Sequence, residues 1–264
     1  MLKLLKYELM RKKKIYIIFI SIILVLTTLA AIGYNFTDNN YWIAIIVISV
    51  LITLVGCSLF PILINVINYY GDFKNRNGYM MFMTPNSGYK IFGSKILAVA
   101  IDTVLALLLI SLFATVSYLV LNTMYSQEIQ GILGEITNEL NREMPGLTIG
   151  GVLALGAGAG IIQSMDSIIL AMLAITVSKT LLSQKSFSWF IPLIIFIAMS
   201  IVEQTAMVMI LGAISFKDIT IMITESEVML NISLVVGVAL GLYLVFTTIY
   251  TVIASTLLNK KIDL

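Results

Sequence analysis

Six long apolar stretches run through this 264-residue chain, near 15–33, 42–64, 96–121, 149–178, 189–214 and 228–258. Each is about long enough to cross a ~30 Å hydrocarbon core as a helix. Lipid offers the backbone no hydrogen-bond partner, so a helix, which satisfies its own N–H and C=O groups, is the structure expected of each. A mean hydropathy of +1.03, with only 11% charged residues, excludes an ordinary soluble globule. The expected fold is an all-α polytopic membrane protein with six transmembrane helices.

The charges fall on one side of that pattern. Numbering the segments between the stretches from the amino terminus, the odd set holds Lys3, Lys6, Arg11, Lys12, Lys13, Lys14, Lys74, Arg76, Lys90, Lys95, Lys179, Lys185, Lys260 and Lys261. The even set holds only Arg142 and Lys217. Cationic loops resist translocation, which places the odd set and both termini in the cytoplasm. Six crossings consume most of the chain, so residues 1–264 read as a single transmembrane domain. Any catalytic or energy-coupling module is expected on another chain.

Residues 1–14 (MLKLLKYELMRKKK) place Leu2, Leu5 and Leu9 near helical spacing beside a run of cations. That pattern predicts an amphipathic interfacial helix with snorkelling lysines. A plain topogenic flank is the alternative. Thr28 and Ala30 mimic a signal-peptide cleavage site, but the long apolar stretch and its basic flank suit a retained anchor better. With no histidine and the single Cys57 inside an apolar stretch, zinc, haem and iron–sulfur chemistry are not expected.

The inner segment 71–95 is punctuated by Gly71, Gly78, Pro85, Gly88 and Gly93, so it should hold short, turn-bounded elements. Its run Tyr79, Met80, Met81, Phe82 and Met83 is apolar yet too short to span, and exposed side chains of this kind call for a covering partner. In the outer segment 122–148, Ile129, Ile132, Leu133, Ile136, Leu140 and Met144 recur at helical intervals opposite Glu128, Glu135, Glu139 and Glu143. An amphipathic helix on the outer surface is expected there. Pro61 should kink the second helix rather than end it. Glu203-Gln204 interrupts the fifth stretch, which makes 204–227 a possible broken, re-entrant outer element.

Three acids fall within apolar stretches: Asp102, Asp166 and Glu203. Each costs about 2.5–3.5 kcal/mol at a bilayer centre and needs a partner, a cavity or water. Asp102 reads as near the inner interface. Gln163, Asp166 and Glu203 are the candidates for a transport pathway; helix-packing hydrogen bonds or interfacial placement are the competing reading. Paired-aspartate proteolysis from Asp102 and Asp166 has nothing in their surroundings to favour it. The glycines of the fourth stretch fail both phosphate-loop patterns. Gly156 and Gly160 form G-x-x-x-G, which predicts close helix packing.

In layout the chain resembles the membrane subunits of ABC-2-type exporters, the bacterial ABC permeases with the type V transporter fold. The segment GYMMFMTPNSGYKIFGSK looks like the loop that carries their coupling helix, and the ending LLNKKIDL is similar to their short carboxy-terminal tail. The resemblance implies a separate ABC ATPase, with ATP and Mg bound there and no cofactor in this chain. It also implies a second copy of this chain or a related permease, and a bacterial cytoplasmic membrane. Tyr79–Met83 would be the ATPase-docking knob. The cargo would be an amphipathic or hydrophobic substrate, such as an antimicrobial or toxin-like peptide or a lipid. Membrane lipid is an expected partner and nucleic acid is not. The long acidic outer segment 122–148 departs from the family pattern. A proton-coupled carrier using Asp166 and Glu203, and a non-transporting immunity or scaffold protein, are the alternatives; none of the three makes this chain an enzyme.

Overall fold

The apolar stretches fold as long, largely uninterrupted helices. A computed structural model describes residues 2–34, 40–74, 87–124, 130–131, 134–135, 137–139, 149–181, 190–218 and 225–262. Six long helices hold nearly all of them: α1 (Leu2–Tyr34), α2 (Asn40–Lys74), α3 (Gly88–Met124), α4 (Ile149–Leu181), α5 (Phe190–Asp218) and α6 (Glu225–Ile262). No strand occurs among the described residues.

Five of the helices contain segments long and apolar enough to cross a membrane: Leu51–Phe73, Gly88–Leu119, Gly150–Thr180, Phe190–Gly212 and Val236–Asn259. This is a multi-pass membrane protein. The remaining expected span lies in α1, where several side chains between 27 and 34 fall outside the described set.

The two central helices are α3 and α4. Helix α3 packs against α1, α2, α4 and α6, whereas α4 packs against α2, α3, α5 and α6. From Ile168 to Thr176 every residue of α4 but Ala171 is buried, as suits a helix that is apolar all round. Around it gather Tyr69 of α2, Ile91, Phe92 and Val99 of α3, and Tyr250 and Ala254 of α6. Helix α5 instead exposes Ile194, Ile201, Val202 and Val208. Lipid tails are as apolar as these side chains, so burying them against protein gains little. Close packing and interhelical polar contacts must hold the bundle.

Several expectations change. Residues 2–14 are not a separate interfacial helix: they continue without a break into the first apolar stretch as α1. The inner segment 71–95 is shorter than expected, because α2 extends to Lys74 and α3 starts at Gly88. Ser87 starts α3, its carbonyl accepting from the Lys90 and Ile91 amides, and the Gly88 amide donates to Asn259 Oδ1 of α6. A Cβ on Gly88 would stand 2.7 Å from that oxygen and 3.0 Å from the Ser255 carbonyl, so glycine permits the close approach.

Helix α5 runs through Glu203-Gln204 to Asp218, so the re-entrant break expected from 204 onward is absent up to that point; residues 219–224 lie outside the described set. Helix α2 runs through Pro61 as expected. In the outer segment, the described residues between 130 and 139 are helical, with Glu135 and Glu139 exposed. The apolar face expected there, Ile129 to Met144, lies outside the described residues.

Candidate functional site

Two polar clusters interrupt the apolar bundle. The first is built by α1, α2 and α3, each of which brings polar groups one or two turns apart. Helix α1 supplies Glu8, Arg11 and Lys12, at the i, i+3 and i+4 positions that share one face. Helix α2 supplies Asn65 and Asp72, and α3 supplies Lys95 and Asp102. Both of these pairs are spaced by seven residues, or two helical turns.

They meet in two layers. In the layer nearer the helix ends, Lys95 Nζ donates to Glu8 Oε1 at 2.7 Å and to Asp72 Oδ2, while Arg11 donates to Glu8 Oε2 at 2.8 Å and to Asp72 Oδ1. Lys95 also lies 5.3 Å from the centroid of the Tyr69 ring, within cation–π range, and the Tyr69 hydroxyl is 2.7 Å from Thr176 Oγ1 of α4. In the deeper layer, Lys12 Nζ donates to Asp102 Oδ2 at 2.7 Å and to Asn65 Oδ1 at 2.7 Å. Asn65 Nδ2 donates to the same Asp102 oxygen at 2.6 Å, and the Tyr16 hydroxyl donates to its other oxygen. Above this layer Phe60 stacks on Phe19 with centroids 3.8 Å apart and leans against Tyr16.

The cluster is neutral by count. Glu8, Asp72 and Asp102 balance Arg11, Lys12 and Lys95, and only Arg11 keeps appreciable exposure. Burial pulls the Lys12 ammonium below its usual range, against Asp102, which pulls it up. Burial also opposes the charge on Arg11, but Asp72 and Glu8 outweigh it and hold the guanidinium above its ordinary value. Desolvation offsets much of the attraction in pairs of this kind, so their main effect is to specify which helix faces touch.

The second cluster joins α4, α5 and α6. Asp166 of α4 and Glu203 of α5 are both buried, and α6 supplies a donor to each. Thr247 Oγ1 donates to Asp166 Oδ1 at 2.8 Å, and the Tyr250 hydroxyl donates to Glu203 Oε2 at 3.2 Å. Asp166 stands ten residues before Thr176, which puts the two clusters about 15 Å apart along α4.

No known family, characterised protein or solved structure matches this chain. The geometry alone carries the functional reading.

Of the residues picked from sequence, Asp166 and Glu203 are brought together. Gln163 is exposed on α4 and joins no cluster. Gly156 and Gly160 are corrected. Both are exposed and an added Cβ at either would meet no described residue within 4 Å, so among the described residues neither packs helices together within this chain. Tyr79, Met80, Met81, Phe82 and Met83 lie outside the described residues. The whole first cluster was missed. Asp102 is fully buried against Lys12 and Asn65, partners that its expected place near the inner interface did not name. The seven-residue spacings in α2 and α3 were visible signals, but they name no partner. Among the described residues no three metal-ligating side chains converge.

Proposed function

We propose that this chain is the membrane-spanning subunit of an ABC-2-type exporter, with six spans and both termini in the cytoplasm of a bacterial cell. A separate ATPase binds ATP and Mg and drives an amphipathic or hydrophobic substrate, such as a peptide or lipid, across the cytoplasmic membrane. The supporting observation is the Asp72–Lys95 ion pair, which ties the end of α2 to the start of α3 on either side of residues 75–87. Glu8 and Arg11 bind that pair to α1, and Asn259 binds Gly88 to α6. A push on the connecting segment is therefore delivered to α1, α2 and α3 as one unit, which is what coupling to an external motor requires.

The test is co-purification with the candidate ATPase, followed by deletion of Met80–Met83. ATPase association and ATP-dependent transport should both be lost. Their survival rules out this segment as the coupling element.

The Asp166–Glu203 pair favours a second reading, a proton-coupled carrier that works without an ATPase. That reading expects the purified chain alone to transport in a pH gradient and Asp166→Asn to abolish it. Transport seen only with ATP and a second chain eliminates it.

A further inference from the structure

We infer that the outward face of the first half of α1 is a binding site for an anionic phospholipid. A shallow groove of about 480 Å³ lies on this face, lined by Leu2, Leu5, Leu9, Met10 and Tyr16. Lys6 and Lys13 border it. They stand seven residues apart, on one side of the helix and about 10 Å apart along its axis, so both flexible ammonium groups reach a phosphate placed between them.

Three observations select this occupant. The ion pairs fix the rotation of α1: Glu8, Arg11 and Lys12 are held against α2 and α3, so the leucine stripe cannot turn into the bundle. Six cations precede Ile15, and Lys3 and Lys14 are exposed but do not line the groove. Arg11 and Lys12 are ion-paired inward, while Lys6 and Lys13 form no ion pair among the described residues and are exposed beside apolar surface. Free cations beside an apolar stripe complement a ligand that is anionic at one end and aliphatic at the other.

Length sets the depth. Within the 33 residues of α1, Ile15–Tyr34 make about 30 Å of helix, which matches a ~30 Å hydrocarbon core. Lys13 then stands at the boundary of the core and Lys6 about 10 Å beyond it, so a phosphate held between them sits at headgroup depth. The inference rests on α1 crossing the membrane and stands apart from the exporter reading.

The test uses the full chain purified in detergent, with native mass spectrometry reading retained phosphatidylglycerol against phosphatidylcholine. The unsubstituted chain should prefer phosphatidylglycerol by roughly tenfold or more, as two lysines near one headgroup imply. Lys6→Gln with Lys13→Gln should erase that preference, whereas Lys6→Arg with Lys13→Arg, and Lys3→Gln with Lys14→Gln, should keep it. Equal binding of both lipids by the unsubstituted chain overturns the inference, as does a preference that survives the glutamine pair. A phosphatidylglycerol with a photoreactive acyl chain removes dependence on any variant. It should label residues 2–16, and labelling confined to other helices overturns the site. Disulfide-linked dimers of a Met10→Cys chain in vesicles would put a second copy on this face and also overturn it.

Discussion

Lys12 of α1 and Asp102 of α3 meet at 2.7 Å with both side chains almost wholly buried. Each needs the other far more than the bundle needs either. Removing one partner, as in Lys12→Met or Asp102→Leu, should cost about 3–5 kcal/mol by stranding a buried charge. The double replacement should recover most of that loss. Thermal unfolding in nanodiscs reads the cycle, and a double variant no better than the singles would show that the pair is not coupled.

The outer layer should respond unequally. Lys95 is buried against both Glu8 and Asp72, while the Arg11 side chain remains 27% exposed. Lys95→Ala should therefore lower the unfolding temperature clearly more than Arg11→Ala, which leaves both acids their lysine. Equal losses would contradict the contact geometry.

Gly88→Ala tests the α3–α6 approach. The new methyl would press on Asn259 Oδ1 and on the Ser255 backbone, and overpacking of this kind costs about 1–3 kcal/mol. Asn259→Ala in the same background gives the methyl room and should return part of the loss. No rescue in melting measurements would mean that the strain lies elsewhere.

In the second cluster, Tyr250→Phe and Thr247→Val each remove one donor to a buried carboxyl group. Each should cost about 1–3 kcal/mol. If the chain moves substrate, these variants should alter transport more than Gln163→Ala, since Gln163 joins neither cluster. A transport assay in vesicles with matched protein levels separates the two effects.

Gly156→Ala with Gly160→Ala should leave the fold of the single chain intact, since neither methyl meets a neighbour. Unfolding of the monomer should be unchanged or slightly improved, because alanine favours a helix by up to about 1 kcal/mol over glycine. Loss of an oligomer on size-exclusion chromatography, with the monomer intact, would put the small-residue face between chains.

Most of the helical layout was legible because apolar length alone decides it. Stretches without internal partners for water have one stable form in lipid, and α2 to α6 follow the hydropathy closely. The first cluster was not legible, because its meaning lies between helices. Lys12 and Lys95 were counted as cations that orient loops, and Asp102 as an acid near an interface. Nothing local in the chain says that positions 12, 65 and 102 share a face. Glu203 misled in the opposite direction: its charge argues for a helix break until Asp166 and Tyr250 supply partners. The acids of the second cluster were each visible, since an ionisable group in an apolar run stands out by itself.

The wide sequence separation of the first cluster has a consequence for how the protein is made. Asp102 is translated ninety residues after Lys12, a gap of roughly 5–20 s at ordinary rates of synthesis. For that time Lys12 lacks its carboxylate; Arg11 waits for Asp72, and Glu8 waits longer for Lys95. The contact that joins α1, α2 and α3 through Lys12, Asn65 and Asp102 can therefore close only once α3 has been made, so the packing of these three helices is completed together rather than one helix at a time.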